Sequence, residues 1–299
     1  MIPLLQKRRT RLVGLRAPTI TAAVLLTCAL VSSSCSTART PIATSTVNGA
    51  VTPTVIVTPQ LPTVHEVTHL ETLGSASTVT ASCAPGEVAL GGGWEAPSDV
   101  RVYAAMLNGS SWSVKVTGSS TAPFVVIATV HCLAGAPGAT VTQRVSSVTA
   151  QPYSTVAQEA SCQTPGETQV GFGFAFADPT PNLELTSDMP TPDSSPTRAW
   201  KFKVTSRDSQ VNTITLAVHC LANVAVSANY PVGQRNGQSA ISTCPGGSVV
   251  AGGGASYATF SRAKDNAHIL RALFNQWRVE VDGDILSEIS ATAVCLRFT

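Results

Sequence analysis

Charged residues are scarce in this 299-residue chain: they make up 12% of it, about half the usual share in globular proteins. The basic ones are also unevenly placed. Five of the 19 lie within the first sixteen residues, whereas all 17 acidic residues follow Cys35. The rest of the chain is therefore slightly acidic and has no basic cluster, which excludes an electrostatic footprint for nucleic acid.

Aromatic residues are also few, at 5%, while Thr, Ser, Val, Ala and Gly dominate. This balance favours strands and turns over helices. Apolar residues make up 43% of the chain, which is enough to build packed cores and argues against disorder throughout. The composition predicts an all-β protein.

The N-terminal segment has the three-part layout of a secretory signal. Residues 1–16 are basic, residues 17–31 are apolar, and three serines then lead to Cys35. An apolar run of about 15 residues is short for a membrane span, although an uncleaved anchor helix is an alternative. Small residues before a cysteine resemble the lipobox of bacterial lipoproteins. We therefore expect residues 1–35 to be a lipoprotein-like signal with lipidation at Cys35; ordinary cleavage nearby is a further alternative, and Cys28, which follows a threonine, is less favoured.

Residues 36–63 are rich in Thr, Pro, Val and Ala. Repeated proline blocks helices and regular strand pairing, so this segment is typical of a semi-extended linker. It predicts a tether between a membrane, reached through a lipid anchor, and a folded part. The expected location is the outer face of the cell membrane or the cell envelope, or otherwise the extracellular space.

A unit of about 80 residues recurs three times after the linker. A cysteine is followed by a glycine cluster, then by a Trp-led segment of alternating polarity, and then by a segment that contains a second cysteine. The first cysteines are Cys83, Cys162 and Cys244, the tryptophans are Trp112, Trp200 and Trp277, and the second cysteines are Cys132, Cys220 and Cys295. We expect three β repeats, over 64–140, 141–223 and 224–299.

Each copy is predicted to contain about five antiparallel strands. In Trp200-Lys-Phe-Lys-Val one side is apolar and the other charged, as in a strand with one face on a core. The three tryptophans are therefore assigned to core packing. The glycine clusters indicate a bulge or a close approach of strands, because no phosphate-loop Lys-Ser/Thr follows them.

Six of the eight cysteines follow the linker, two at equivalent places in each copy. In an oxidising compartment this pattern predicts a disulfide framework. The simplest pairing joins Cys83 to Cys132, Cys162 to Cys220, and Cys244 to Cys295. His131 and His219 precede two of these cysteines, and we expect them on the strand face opposite the disulfide, not in a metal site.

Taken together, the cysteine, the glycine cluster, the Trp-led strand and the cysteine strand resemble a repeat found in uncharacterised secreted bacterial proteins. The threefold use of a glycine-bearing, disulfide-closed β unit also resembles the β-prism of the vitelline membrane outer layer protein. The resemblance implies an all-β, β-prism-like threefold body. Three tandem small β-sandwiches are the alternative.

The segment His65-Glu66-Val67-Thr68-His69 matches the His-Glu-x-x-His pattern of zinc proteases. That chemistry needs both histidines on one face of a helix, whereas two β-branched residues stand between them here. On a strand, residues four apart lie about 13 Å from each other, too far to share one zinc ion. A secreted zinc-dependent hydrolase is therefore the alternative function only, and we predict no metal and no cofactor.

The main functional prediction is a non-enzymatic, surface-displayed or secreted binding or structural protein, whose ligand is a glycan, a cell-wall polymer or another protein. Trp94, Phe174 and Tyr257 lie just after the glycine clusters and differ between the copies. They are predicted to be exposed ligand contacts. The binding surface is expected within residues 95–111, 175–199 and 256–276.

Overall fold

Buried and exposed side chains alternate along the Trp-led segments, as the sequence predicts for strands with one face on a core. A computed structural model describes residues 61–118, 123–179, 183–190, 199–236, 238–257, 267–281 and 289–299. No helix occurs within these ranges, so the predicted all-β class is confirmed. The predicted signal and nearly all of the linker, with Cys28 and Cys35, lie outside the described residues.

The strands are bounded as follows. They are β1 (Thr63–Leu73), β2 (Ser77–Ser82), β3 (Val88–Glu95), β4 (Val100–Asn108), β5 (Ser111–Gly118), β6 (Phe124–Ala134), β7 (Thr140–Ala150), β8 (Thr155–Ser161), β9 (Thr168–Phe176), β10 (Leu183–Pro190), β11 (Ala199–Ser206), β12 (Asn212–Ala222), β13 (Val226–Asn229), β14 (Val232–Asn236), β15 (Ser239–Thr243), β16 (Val249–Tyr257), β17 (Ala267–Leu273), β18 (Gln276–Val281) and β19 (Ile289–Phe298).

Antiparallel pairing arranges these strands in three groups of the same order. One group runs β1-β6-β3-β17-β18-β15, and a second runs β7-β12-β9-β4-β5-β2. The third runs β19-β16-β10-β11-β8, with both β13 and β14 paired to β19. A short pairing of β14 with β15 joins the first group to the third.

Each group combines strands from two of the predicted copies. The joints are the pairs β3–β17, β9–β4 and β16–β10. Every copy is thereby joined to both others, the joints close a ring, and three separate tandem β-sandwiches are excluded. Each copy supplies six strands, and the third supplies seven because its first strand is interrupted at Tyr230 and Pro231, whereas the sequence predicted about five.

The three tryptophans lie fully buried at equivalent places, which confirms their assignment to the core. A Cβ atom added to Gly92 would collide with Trp112, and one added to Gly253 would collide with Trp277. Each indole therefore packs directly on the backbone of a glycine in its own copy. This contact requires a residue without a side chain at those two positions.

In the second copy a different side chain packs on the indole. Phe172 stands where the other copies have these glycines, and its ring stacks on Trp200 with centroids 5.2 Å apart. In the first and third copies a histidine of a neighbouring copy contacts the indole instead. The ring centroids are 5.9 Å apart for Trp112 and His219 and 6.0 Å apart for Trp277 and His131. The equivalent residue for Trp200 is Val294. In the second copy's place a phenylalanine and a valine thus stand where the other two places have a glycine and a histidine.

The first glycines of the clusters mark a close approach of the three copies. A Cβ atom on Gly91 would lie 3.5 Å from the Cα atom of Gly171, and one on Gly252 would lie 3.7 Å from the same atom. Each of these strands carries a register shift just before this glycine. The predicted reading of the clusters, as bulges at a close strand approach, is therefore confirmed.

All three predicted disulfides are present. Cys83–Cys132, Cys162–Cys220 and Cys244–Cys295 close loops with sequence separations of 49, 58 and 51 residues. They lie at the end of the body where β3, β9 and β16 begin, which we call the disulfide end. We call the opposite end, where these strands finish, the loop end.

Candidate functional site

The predicted ligand contacts Trp94, Phe174 and Tyr257 converge at the loop end, but they are buried. Their exposures are 3%, 2% and 7%, so the expectation that they are exposed is wrong. The reason is that the strands carrying them pair edge to edge with strands of neighbouring copies, so that the three side chains converge in the interior, with the Trp94 and Phe174 rings 5.8 Å apart. The three side chains line one cavity of about 20 Å³, which we call the loop-end pocket. Such a cavity holds about one water molecule.

Asp188 is the one carboxylate that lines the loop-end pocket, and no pattern in the sequence singles it out. It lies on β10 opposite Ala255 of β16, whose backbone N–H donates a hydrogen bond to the carboxylate. Burial raises the pKa of Asp188 well above its ordinary value, and this hydrogen bond opposes the rise only in part. The carboxyl group therefore belongs to the joint between two copies.

A buried arginine lies beside the same pocket. The Arg101 guanidinium donates a hydrogen bond to the Leu183 carbonyl and lies 5.5 Å from the centre of the Phe176 ring. Burial lowers the pKa of Arg101 to about 10, against an opposing effect of Glu184. Because the loop-end pocket is small and its polar groups have partners within the protein, we interpret it as part of the core rather than as a ligand site.

The His-Glu-x-x-His segment lies on strand β1, as the sequence indicated. Its two histidines have different neighbours: His65 Nε2 lies 3.4 Å from Glu87 and His69 Nε2 lies 4.0 Å from Glu71. Strand geometry separates the two imidazoles by about 13 Å along the chain, so they cannot bind one zinc ion. Two groups of potential metal ligands occur in the described ranges, one of His, Glu and Cys and one of Cys, Glu and Cys. Their cysteines are disulfide-bonded and therefore offer no thiolate.

His131 and His219 lie on the strand face opposite the disulfides, as predicted. Both are buried, at 1% and 0% exposure, and no ring nitrogen of either makes a hydrogen bond of ordinary geometry with the described residues. Burial lowers the pKa of His131 to about 4 and that of His219 to about 3. A nearby backbone group, at Ala251 and Leu90 respectively, offsets a small part of each shift. Both imidazoles are therefore neutral at pH 7.

A larger cavity, of about 300 Å³, opens at the disulfide end. We call it the disulfide-end groove. Strand β1 forms one wall and the segments around the β15–β16 and β17–β18 turns form the other, so that the first and third copies both contribute. Its lining residues are Val64, His65, Glu66, His131, Ser248, Val249, Val250, Ala272, Phe274 and Asn275. The volume is at the lower end of the range for small-molecule sites, about 300–1,000 Å³.

Phe274 at the rim of this groove is the most exposed large apolar residue in the part of the chain that the structure describes, at 94%. Its φ of 57° places it in the left-handed region, which a bulky side chain rarely adopts. The corresponding residue of the first copy is Gly109, with φ 62°. The correspondence follows from equivalent hydrogen bonds, Cys83 N–H to Ser110 O and Cys244 N–H to Asn275 O.

Inside the groove, Glu66 and His131 are direct partners across the β1–β6 pair. Cross-strand partners point to the same side of a sheet, about 5 Å apart at Cβ. Burial raises the pKa of Glu66, while its hydrogen bond from Thr68 and the positive charge of Arg271 oppose that rise. A carboxylate, a neutral imidazole and an exposed phenyl ring thus meet at one concavity.

No family model matches this chain, and no curated protein matches it either. Within the described ranges, no helix is of the length and apolarity that crossing a membrane requires. The three disulfides are typical of an oxidising, extracellular environment.

The sequence therefore indicated one wall of the groove for a different reason and the other only in part. His65 and Glu66 stood out as part of a zinc pattern, and His131 as a neighbour of a cysteine. The expected binding range 256–276 includes Phe274, but no motif singled this residue out. Aligning the short β4–β5 and β17–β18 turns between copies would have exposed it, because a phenylalanine replaces Gly109 there.

Proposed function

We propose that this is an exported, non-enzymatic β-repeat protein of the cell envelope that binds an envelope glycan, wall polymer or protein at the disulfide-end groove. The observation that carries the proposal is Phe274: an exposed aromatic ring held in an unfavourable backbone conformation at the rim of a cavity of about 300 Å³. Strain of this kind costs about 1–3 kcal/mol and is concentrated at functional sites.

Export is supported by the signal-like residues 1–35 and by three disulfides that close loops of about 50 residues each. Lipidation at Cys35 would attach the chain to the outer face of a membrane through the linker.

The test is a pull-down of envelope fractions with the full-length exported chain, followed by mass measurement of its N-terminal residue. We expect retention of a polysaccharide or protein from the envelope, and a diacylglycerol-modified Cys35. The comparison variant is Phe274→Gly, which removes the ring and suits the backbone conformation. No retention of any envelope component by the unmodified chain contradicts the binding function.

A further inference from the structure

The disulfide-end groove is lined by a buried polar side chain whose hydrogen-bonding capacity is not filled. His131 is 1% exposed and lines the cavity; a backbone group of Ala251 lies near it, but neither ring nitrogen makes a hydrogen bond of ordinary geometry with the described residues. Buried polar groups in folded proteins are nearly always paired. A neutral imidazole offers one donor and one acceptor, and the Ala251 backbone group can engage only one of them, so the other is left for a ligand group such as a hydroxyl.

The other groups of the groove narrow the chemistry further. Glu66 faces the same side of the β1–β6 pair and supplies acceptor oxygens. Its negative charge disfavours a carboxylate or phosphate ligand. A purely apolar ligand would leave Glu66 and His131 without hydrogen-bond partners, which costs free energy. Hydroxyl groups satisfy all of these requirements, because each one donates and accepts.

The Phe274 ring can stack against a flat apolar face of a ligand. Its ring is 94% exposed at the rim, and the adjacent Asn275 is held in place by donating a hydrogen bond of 2.8 Å to the Cys244 carbonyl. A sugar ring has such a face of C–H groups on one side and hydroxyl groups around its edge. Aromatic rings bury large apolar area with a defined geometry, which suits this contact.

We propose that the disulfide-end groove binds an uncharged carbohydrate, with one sugar ring stacked on Phe274 and its hydroxyl groups bonded to Glu66 and His131. This inference rests on the proposed binding function and specifies its ligand class. A volume of about 300 Å³ accommodates one or two sugar rings, so the groove recognises a short stretch or an end of a chain rather than a long polymer segment.

The experiment is isothermal titration of the full-length chain with three probes: an N-acetylglucosamine trimer, a glucose trimer and a galacturonate trimer. We expect binding of at least one neutral trimer and at least tenfold weaker binding of the charged one. Phe274→Gly should weaken binding of the neutral trimer at least tenfold. It should also raise the midpoint of thermal unfolding, because glycine adopts the left-handed conformation without strain.

The matched control is Tyr153→Gly. Tyr153 is likewise aromatic, 73% exposed and at positive φ, 51°, but it lies in the β7–β8 connection at the loop end. This variant should raise the unfolding midpoint and leave sugar binding unchanged. Glu66→Ala should weaken binding severalfold without altering the unfolding midpoint by more than about a degree.

The outcomes separate the two proposals. Retention of an envelope component that Phe274→Gly does not affect, with no titration signal for the neutral trimers, overturns the carbohydrate groove and leaves the binding function standing. Tighter binding of the galacturonate trimer than of the neutral ones overturns the ligand class. If the unmodified chain retains no envelope component and none of the trimers binds, both proposals fail.

Discussion

The two buried histidines make the stability of this protein depend on pH in a way that can be worked out from the structure. His131 and His219 have pKa values lowered to about 4 and about 3 by burial. In the unfolded chain a histidine takes up its proton near pH 6.5. Below that pH the unfolded state binds two protons that the folded state does not, so the free energy of unfolding falls as the pH falls. The loss ends only near the folded pKa values.

Asp188 acts in the opposite direction. Its pKa is raised in the folded state, so above about pH 3.8 the folded protein keeps a proton that the unfolded chain releases. Its contribution therefore falls as the pH rises from about 3.8 through the folded pKa. A difference of one bound proton between the folded and unfolded states changes the free energy of unfolding by about 1.4 kcal/mol per pH unit. Asp188 therefore reduces the acid loss that the two histidines cause, and each histidine contributes at most about 1.4 kcal/mol for each unit of acidification.

Substitutions should change this slope by removing one titrating group at a time. His219→Gln should flatten the slope by up to about 1.4 kcal/mol per pH unit, because only His131 then differs among the histidines between the two states. Asp188→Asn should steepen the slope, because the carboxyl group that opposes the histidines is lost. Val294→Ala, at the position equivalent to the histidines, should destabilise the fold at every pH and leave the slope unchanged.

The assay is urea unfolding at pH 4.5, 5, 5.5 and 6 with the disulfides intact, followed by tryptophan fluorescence. The indoles of Trp112 and Trp277, which contact His219 and His131, report directly on the packing that surrounds the histidines. A slope that is the same in the unmodified protein, His219→Gln and Asp188→Asn would refute the reasoning, since it would show that none of these groups changes its protonation between the two states.

Three further predictions concern the core and the cross-links. Gly92→Ala should cost about 3 kcal/mol or more and slow or prevent folding, because the added methyl group collides with Trp112; urea unfolding measures it, and a cost below 1 kcal/mol would contradict the packing. Phe172→Gly and Val294→His should each lower the free energy of unfolding by about 2–5 kcal/mol when made alone. In a double-mutant cycle, the double variant should be about 1–3 kcal/mol more stable than the sum of the two single effects. Strict additivity would show that the two positions do not share the space around one indole. Reduction of all three disulfides with dithiothreitol should remove about 4 kcal/mol per bridge by the chain-entropy estimate and unfold the protein at 37 °C, which circular dichroism would detect; retention of the native spectrum and thermal midpoint would contradict that estimate.

Local features of the fold were predictable because each has a local cause. Alternating polarity marks the Trp-led strands, equivalent cysteines mark the disulfides, and glycine clusters mark close approaches. The pairing of β3 with β17, about 175 residues apart, has no such local signal. This long-range pairing is also what buries Trp94 and its counterparts, so the error about their exposure has the same origin.

The candidate site was harder to predict for a related reason. Glu66 and His131 are 65 positions apart and meet only through the β1–β6 register, while Phe274 arrives from the last third of the chain. Each of these residues has an ordinary interpretation when taken alone. Their combination becomes visible only once the sheets are formed.

The cyclic strand pairing has a consequence for how the protein can be made and how it can change. The edge of β3 stays unpaired until β17, near the C-terminus, has been synthesised and delivered, so the first copy completes its sheet last, together with the third. The sheet shared by the first and second copies needs no strand of the third, whereas the other two sheets wait for the C-terminal part of the chain. The ring also fixes the number of copies. An open array tolerates the gain or loss of a unit, whereas here either change leaves strand edges exposed.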